Sequence, residues 1–345
     1  MADTTKPTRP PSEGVTLRQL AEHVGLTPGT VSAVLNNAPS ASAIPQRTKD
    51  RIFAAAAELK YRPNFFARTL RKKRTYTIGV IAREIGDPSV SLIISGIEAA
   101  LTRRSYLFLT VVHQDPQVVK QYSEMLVDRG VEGIISVDVN LPSTLSIPSV
   151  AVAGQFPTSG ITNVVLDYKK AARLALRHLV EGKHKDIAYL RGRPTSVDAE
   201  DRWHAICEVA VELGIPIRSE MARQLDPREP TMQQGYQLTR DLLASAHPFT
   251  ALFAYNDIVA IGAIRALREA KLHVPDDVSV IGFDDIRGAM YVVPSITTVR
   301  QPLHKMGEIA ATTLVERIEG KDFPEEIRIE PEFIVRESSG PASKH

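Results

Sequence analysis

Between residues 15 and 60, apolar side chains recur with the period of an α-helix. Leu17, Leu20, Ala21 and Val24 fall at positions i, i+3, i+4 and i+7, so they form one apolar stripe on a two-turn helix that ends at a glycine. The pattern therefore predicts a short first helix followed by a tight turn.

Two further helices are predicted after this turn. Thr27 can cap the second helix, and Pro28 can occupy its first position, where the missing N–H costs no hydrogen bond. Val31, Val34 and Leu35 supply its inward face. The third helix is predicted from about residue 45 to residue 60, with an inward face of Ile52, Phe53, Ala56 and Leu59.

After Thr75 the pattern changes to short β-rich runs that alternate with helical stretches. Such alternation predicts parallel sheets with crossover helices, and about 270 residues of it are more than one sheet needs. The predicted fold is an all-α helix-turn-helix N-terminal domain followed by an α/β core of two Rossmann-like lobes. The predicted organisation is a disordered leader (1–14), a helix-turn-helix domain (15–60), a hinge or linker (61–75) and the core (76–345), with a first lobe of about 76–167 and 296–325 and a second of about 168–295 and 326–345.

Composition excludes several classes of protein. Hydrophobic residues make up 43% of the 345 residues and charged residues 24%, values typical of a folded globular chain. The only cysteine, Cys207, rules out an intramolecular disulfide and a multi-cysteine zinc site, and it indicates a reducing compartment. There is no apolar run of about 18 residues and no signal-peptide pattern at the N-terminus, so we expect a cytoplasmic protein without a membrane span.

The formal net charge of +2 conceals an uneven distribution. Residues 1–74 hold 13 of the 42 basic and 5 of the 40 acidic residues, a net charge of +8, which leaves −6 for the rest of the chain. A basic N-terminal segment suits a polyanionic partner such as DNA. Phosphates could be neutralised by Arg47, Lys49, Arg51, Arg62 and Arg68.

Two short helices separated by a tight turn and followed by a third form a helix-turn-helix arrangement. The second helix would enter the major groove of DNA with its N-terminal residues facing the bases. The alternative is a three-helix bundle with no DNA-binding role. The residues predicted to be exposed for base contact are Thr27, Pro28, Gly29, Thr30 and Ser32.

The basic segment after the third helix also holds Leu70, within the run FARTLRKK. Four consecutive basic residues at 71–74 would by themselves indicate a solvated linker. Minor-groove binders, however, insert an apolar side chain between base steps and flank it with Arg or Lys. We therefore add this hinge segment to the predicted DNA-binding region.

Polar residues that directly follow strands of the core are candidate ligand contacts. The carboxyl ends of parallel strands meet at one edge, where ligands bind in open α/β sheets. Each of these residues has a plainer interpretation as an N-cap of the next helix, which we favour for Asp257. The candidates are Ser196, Asp198 and Arg202 after DIAYL, Asn256 and Asp257 after ALFAY, and Asp284 and Asp285 after VSVIGF.

Four segments in this order resemble the lactose-repressor (LacI/GalR) family of bacterial transcription regulators: TLRQLAEHVGLTPGTVSAVLNN, LKYRPNFFARTL, TIGVI and YNDIVAIGAIRALREAKLHVPDDVSVIGFDD. The similarity runs from Thr16 to about Glu337. It implies a periplasmic-binding-protein-like core and a homodimeric repressor that binds a pseudo-palindromic DNA operator under the control of a small-molecule effector.

The resemblance also implies site residues. The segment from Asn64 to Leu70 would form a hinge helix on DNA, and Ser89 joins the residues of the effector pocket. The implied DNA-binding residues are Thr16, Leu17, Thr27, Pro28, Gly29, Thr30, Ser32, Ala33, Asn36, Tyr61, Asn64, Ala67, Arg68, Leu70 and Arg71. The implied effector-binding residues are Ser89, Ser196, Asp198, Arg202, Asn256 and Asp284.

This chain departs from the family pattern in both regions. Pro28, Gly29 and Ala33 occupy the base-reading positions, so the second helix offers few hydrogen bonds to bases. We therefore expect more of the specificity to come from the hinge and from DNA deformability. In the pocket, Ser89 and Val90 replace an aromatic pair of many relatives, Pro230 replaces an aromatic that often stacks on a sugar, and Ala153 replaces an Asp of sugar-binding members.

Two other classes of function fit the sequence less well. A periplasmic-type solute receptor is disfavoured by the missing signal peptide and the basic N-terminal segment. An enzyme is disfavoured because the chain has none of the motifs G-x-G-x-x-G, G-x-x-x-x-G-K-[ST], G-x-S-x-G or H-E-x-x-H, and its histidines lack ligand spacing. We expect no cofactor and no metal.

The oligomeric state is expected to be a dimer. The stretch after Glu337 is too short and polar to form the heptad zipper that a tetramer would use. A helix at about 91–104 is a candidate interface through Leu92, Ile93, Ile97 and Ala100, with burial in its own lobe as an equal alternative.

Overall fold

The computed structural model describes residues 15–61, 74–143, 145–154, 160–229, 231–245 and 247–343. The predicted leader, most of the predicted hinge, and Pro230 lie outside these residues. The chain divides into two compact units, residues 1–74 and residues 75–345.

The first unit is helical, and its helix starts are set by side-chain caps. Thr16 and Gln19 form a reciprocal capping box at the start of α1, and Thr27 accepts a hydrogen bond from the backbone N–H of Thr30 at the start of α2. Pro28 is the first residue of α2, as predicted. The elements are α1 (Leu17–His23), α2 (Pro28–Leu35), a 3₁₀ helix (Pro39–Ala43) and α3 (Gln46–Glu58).

The core of this unit is small and apolar. Leu20, Val31, Val34 and Ile52 are buried where the three helices meet. The prediction that Phe53 faces inward is wrong, because its side chain is 51% exposed. Successive residues of a helix point about 100° apart, and Ile52 takes the inward direction.

The second unit contains two six-stranded sheets with helices on both faces. The strands are β1 (Thr77–Ala82), β2 (Leu107–Val112), β3 (Gly133–Val137), β4 (Ser149–Val152), β5 (Ile161–Leu166), β6 (Ile187–Arg191), β7 (Ala222–Gln224), β8 (Ala251–Ala254), β9 (Ser279–Asp284), β10 (Thr297–Arg300), β11 (Glu326–Ile329) and β12 (Glu332–Ile334). The helices are α4 (Pro88–Arg103), α5 (Pro116–Asp128), α6 (Tyr168–Glu181), α7 (Val197–Glu212), α8 (Thr231–Leu243), α9 (Asp257–Glu269) and α10 (Leu303–Ile318), with short 3₁₀ turns at Ser219–Met221 and Arg287–Met290.

Each sheet forms one lobe. The first lobe has the strand order β11-β5-β4-β3-β1-β2, and the second has the order β12-β10-β9-β8-β6-β7. All neighbouring strands are parallel except β10 and β12. Because the strands of each lobe are parallel, their carboxyl ends form one edge, where the ligand candidates were predicted.

The predicted lobe boundaries are wrong near the C-terminus. The sequence places β10 in the first lobe, but this strand pairs with β9 in the second sheet. It places β11 in the second lobe, but this strand pairs with β5 in the first sheet. The chain therefore crosses between lobes after β5, after β10 and after β11. These strands have only four residues each, and β11 alternates exposed and half-buried positions, so neither gives a clear apolar run.

Helix α4 packs in its own lobe with its backbone against that of α10. Ile93, Ile97 and Ala100 are buried there, which favours the burial alternative for these three side chains over an interface between protomers. A Cβ atom at Gly96 would lie 1.9 Å from the carbonyl oxygen of His304 in α10. Only glycine permits this approach of the two helices.

Replacing Gly96 by alanine is expected to lower the free energy of unfolding of the core by about 2 kcal/mol, because the α4 and α10 backbones must separate. Urea unfolding followed by circular dichroism measures the loss. Gly86→Ala is the matched control, since the nearest atom to its Cβ would be the Glu84 carboxylate at 3.5 Å. Equal stability of the two variants would contradict the close packing.

Candidate functional site

One candidate site is the surface at the start of α2 in the first unit. Thr27, Pro28 and Gly29 are exposed there, and Thr30 and Ser32 are half-buried. Gly25, in the turn before them, has a φ of +63°, which favours glycine. The turn thus leads into a capped helix whose first residues are accessible, as a helix-turn-helix requires.

The other predicted DNA contacts of the first unit differ in how exposed they are. Thr16 and Asn36 are exposed, while Leu17, Ala33 and Tyr61 are half-buried. The predicted contacts Asn64, Ala67, Arg68, Leu70 and Arg71 lie outside the described residues.

Arg51 has a structural contact in addition to its predicted role at phosphates. Its Nη2 donates to the carbonyl oxygen of Val24 at 3.1 Å. This bond ties α3 to the end of α1, where carbonyl groups otherwise lack partners.

The second candidate site is a cleft between the two lobes. All six residues predicted for the effector pocket line it: Ser89, Ser196, Asp198, Arg202, Asn256 and Asp284. The space among the lining side chains is about 670 Å³, including its open mouth. Because Ser89 lies in the first lobe and the other five in the second, a ligand here would contact both lobes.

Several of these residues also cap helices. Ser196 and Asn256 are the N-caps of α7 and α9, and Ser89 is bonded to the Asp87 carboxylate that caps α4. The predicted cap role of Asp257 is wrong, because Asn256 takes it. The buried Asp257 carboxylate instead accepts hydrogen bonds from the Ile286 N–H and the Thr298 hydroxyl, at 2.9 and 2.7 Å.

Arg202 is the most constrained residue of the cleft. Its Nη2 lies 2.7 Å from Asp198 Oδ2 and 3.8 Å from Asp284 Oδ1, and its Nη1 donates to the Tyr255 carbonyl at 2.5 Å. The guanidinium carbon is 3.7 Å from the centre of the Phe283 ring. Its buried charge is thus paired and stacked, and the planar group is held in one orientation.

Burial controls the ionisation of Asp284, one of the carboxyls near Arg202. It raises the pKa of Asp284 well above its usual range, and the positive charge of Arg202 only partly offsets this effect. Asp87 from the first lobe adds to the rise by repulsion. The cleft is therefore rich in acidic groups, and proton release from Asp284 is disfavoured.

A chain of polar contacts joins the lobes at one side of the cleft. Asp138, directly after β3, accepts from Arg83 Nε at 2.6 Å and from the Ser196 hydroxyl at 2.8 Å. Arg83, directly after β1, also donates through Nη2 to the Thr195 carbonyl at 2.8 Å. Arg83 and Asp138 belong to the first lobe and Thr195 and Ser196 to the second, so these bonds join the two lobes beside the cleft.

Sequence analysis missed five charged residues of the cleft: Arg83, Glu84, Asp87, Asp138 and Arg193. Arg83, Asp138 and Arg193 follow strands, as the predicted residues do, so the same rule applied to β1, β3 and β6 would have found them. Their interlobe pairing had no signal in the sequence, because it depends on how the two lobes meet.

Asp138 is expected to make stability depend on pH. Burial raises its pKa from 3.8 to about 6, although Arg83 partly opposes this. Between pH 5 and pH 8 the unfolded chain stays ionised at this position while the folded chain loses its proton. The free energy of unfolding should therefore fall by about 1 kcal/mol as the pH rises.

The Asp138→Asn variant should lack this pH-dependent part of the free energy of unfolding. Chemical unfolding of the variant and the wild type at pH 5 and at pH 8 measures the difference. The exposed carboxyl of Asp128 provides the matched control, Asp128→Asn, whose pH dependence should equal that of the wild type. If the Asp138→Asn and wild-type curves run parallel, the assignment is wrong.

Both units of the chain match known family models. Residues 16–64 match the family model of bacterial regulatory proteins of the lacI family, and residues 176–339 match a periplasmic binding protein-like domain. The HTH-type transcriptional repressor PurR of Mannheimia succiniciproducens is 32% identical over 333 residues, covering 94% of this chain and 98% of that protein. The chain belongs to the LacI family of bacterial transcription regulators.

Solved structures agree with this membership. The lac repressor dimer bound to operator and the anti-inducer ONPF has a TM-score of 0.87 and 25% identity, covering 95% of this chain and 100% of that one. The transcriptional regulator CelR in complex with cellobiose has a TM-score of 0.71 and 27% identity, covering 94% and 100%. The fold is thus LacI-like in its helical N-terminal unit and its two-lobed core.

Membership in the LacI family settles the class of function. The chain is a DNA-binding transcription regulator, as are its relatives. Over the described part of the chain, no helix is long and apolar enough to cross a membrane.

Proposed function

We propose that this protein is a dimeric repressor that binds a pseudo-palindromic operator and responds to a small polar effector in the cleft between its lobes. The observation that carries this proposal is the cleft itself. Polar residues of both lobes line it, several of those from the second lobe are buried, and direct hydrogen bonds join the lobes beside it. A ligand that changes these contacts would change the orientation of one lobe relative to the other.

The effector is proposed to bind Ser89, Ser196, Asp198, Arg202, Asn256 and Asp284. Two further groups of the cleft are available to it, because Arg193 Nε and Gln301 Oε1 are buried and lack hydrogen-bond partners among the described residues. Three arginines and five carboxylates line the cleft, which suits a small ligand with several polar groups, a sugar or another metabolite. Val90 and Ala153 also line the cleft, so part of its wall is small and apolar.

DNA binding is proposed for the exposed start of α2 together with the hinge. The residues are those that the resemblance implies, from Thr16 to Arg71. Pro28, Gly29 and Ala33 have no side-chain hydrogen-bonding groups, so direct readout by α2 is limited. The central base step opened by the hinge should then carry more of the specificity.

A homodimer is proposed because the core exposes apolar side chains on both lobes. Leu107 and Leu109 lie on β2, an edge strand, and are 70% and 43% exposed. Tyr291 and Val293 of the second lobe are 79% and 76% exposed. Exposed apolar groups on an edge strand favour pairing with another chain. Sedimentation equilibrium should give a dimer at micromolar concentration, and a monomer would contradict this proposal.

Regulation of transcription requires contact with bacterial DNA, so we propose that the protein works in the cytoplasm. The proposed mechanism has two states. Effector binding changes the closure of the lobes, and the hinges of the two protomers form or melt on DNA in response.

The proposed function is tested with two screens on the full chain. Selection from random duplex DNA should return a pseudo-palindrome, and scrambling its centre should cost more affinity than altering either half-site. If altering a half-site costs more affinity than scrambling the centre, the hinge does not provide most of the sequence specificity. A thermal-shift screen of sugars, nucleosides and small acids should identify the effector as a compound that raises the unfolding temperature of the core.

A further inference from the structure

Three donors converge on the carboxylate of Asp198, one of the predicted effector residues. Its Oδ1 accepts a hydrogen bond from the Tyr168 hydroxyl. Its Oδ2 accepts from Arg202 Nη2 at 2.7 Å and from the Tyr255 hydroxyl at 3.3 Å. Asp198 and Tyr168 are 4% and 8% exposed. These hydrogen bonds hold one buried carboxylate in a fixed position within the second lobe.

Tyr168 differs from the other two donors because it does not line the cleft, whereas Arg202 and Tyr255 do. The centre of its ring is 6.0 Å from the guanidinium carbon of Arg202. Burial raises the pKa of Tyr168 well above its usual range, so the hydroxyl keeps its proton and remains a donor. Tyr168 can therefore affect a ligand in the cleft through Asp198, without touching the ligand.

The carboxylate of Asp198 orients the guanidinium of Arg202. The Phe283 ring, centred 3.7 Å from the guanidinium carbon, fixes the plane of this group but not its rotation within that plane. Asp198 at Nη2 and the Tyr255 carbonyl at Nη1 fix the rotation. Because Nη2 also lies 3.8 Å from Asp284 Oδ1, a displaced Asp198 would let the guanidinium turn toward Asp284. The position of Asp198 thus decides how Arg202 faces a ligand.

Tyr168 lies where the chain crosses from the first lobe to the second. Strand β5 ends at Leu166, and Tyr168 is the first residue of α6. Between them, the backbone N–H of Asp167 donates to the carbonyl of Ile329 at 2.8 Å, at the end of β11, where the chain crosses between the lobes again. The two crossovers are therefore joined directly beside Tyr168. A change in lobe orientation must bend the chain at such segments.

We propose that Tyr168 is a positioning residue, which fixes Asp198 and through it the guanidinium of Arg202, so that the crossover between the lobes controls effector affinity. This inference rests on the proposed function, because it concerns the same effector site. It adds a residue outside the cleft that links lobe orientation to the side chains inside it.

Tyr168→Phe tests the proposal, because it removes the hydroxyl and keeps the ring. The probe is the compound that gives the largest rise in unfolding temperature in the thermal-shift screen, and titration calorimetry on the full chain measures its affinity. We expect the substitution to weaken binding roughly tenfold. Tyr236→Phe is the matched control and should keep wild-type affinity, since Tyr236 donates to Glu269 at 2.5 Å and does not line the cleft.

The Arg202→Lys background separates positioning from a general effect on the lobe. Lysine has no planar fork to orient, so adding Tyr168→Phe there should cost less than about twofold in affinity. A tenfold cost in both backgrounds would overturn the proposal, because Tyr168 would then act independently of Arg202. Wild-type affinity in the Tyr168→Phe variant would also overturn it.

The Arg202→Ala variant distinguishes failure of this inference from failure of the effector site. If Arg202→Ala binds the probe as tightly as the wild type does, the effector site and this inference are both wrong. If Arg202→Ala loses affinity and Tyr168→Phe does not, this inference alone is wrong.

Discussion

Arg202→Ala is expected to weaken effector binding by about 100-fold or more. In the proposed site the guanidinium donates charge-assisted hydrogen bonds to the effector, and each such bond contributes about 1.5–3 kcal/mol. The substitution also leaves Asp198, which lies 2.7 Å from Arg202, without its cation in a buried site. Isothermal titration with the compound found in the thermal-shift screen measures the loss.

Two variants separate loss of contact from loss of folding. Arg173→Ala removes an arginine from an ion pair with Glu212 at the surface, so it should keep wild-type affinity. Arg202→Lys keeps the charge without the planar fork, and we expect an intermediate affinity. Circular dichroism confirms that each variant is folded. An affinity of Arg202→Ala within about threefold of the wild type would remove this residue from the effector site.

Leu20→Ala is expected to abolish operator binding at 37 °C while leaving effector binding intact. Leu20 is fully buried in the small core of the first unit. Replacing a buried leucine by alanine costs about 2–5 kcal/mol, and a helical domain of this size has only about 3–7 kcal/mol of stability. In a dimer both copies of the first unit have the substitution, so the two losses of DNA affinity add together.

Fluorescence anisotropy with the selected operator measures this loss, and titration calorimetry measures effector affinity on the same sample. Ala57→Ser, at an exposed position of α3, is the matched control and should bind operator as the wild type does. The chain divides into two units, so we assign DNA binding to one and effector binding to the other. If Leu20→Ala lowers effector affinity as much as operator affinity, this assignment is wrong.

Sequence analysis predicted the elements well where the local signal was strong. The caps at Thr27 and Pro28 and the period of the apolar residues were enough to place α2, because both depend on neighbouring residues only. The six predicted cleft residues lie in one place for a related reason. They follow strands or begin helices at the carboxyl edge of parallel sheets, and topology brings such positions together.

The errors of sequence analysis have a common physical cause. The lobe assignment of β10 and β11 depends on pairing with strands that are distant in sequence, and four residues carry too little pattern to show it. Asp257 was interpreted as a cap because a cap is local, yet its carboxylate bonds Ile286 and Thr298, which are 29 and 41 residues away. The interlobe bonds of Arg83 and Asp138 are likewise non-local.

In the proposed mechanism, one small molecule and one DNA site are coupled through this chain. Effector affinity measured by titration calorimetry, with and without saturating operator, tests it most directly. By linkage, operator must change effector affinity by the same factor as effector changes operator affinity, typically 5-fold to 150-fold for allosteric proteins. We predict equal factors in the two directions. Effector affinity that operator leaves unchanged would show that the cleft does not control DNA binding.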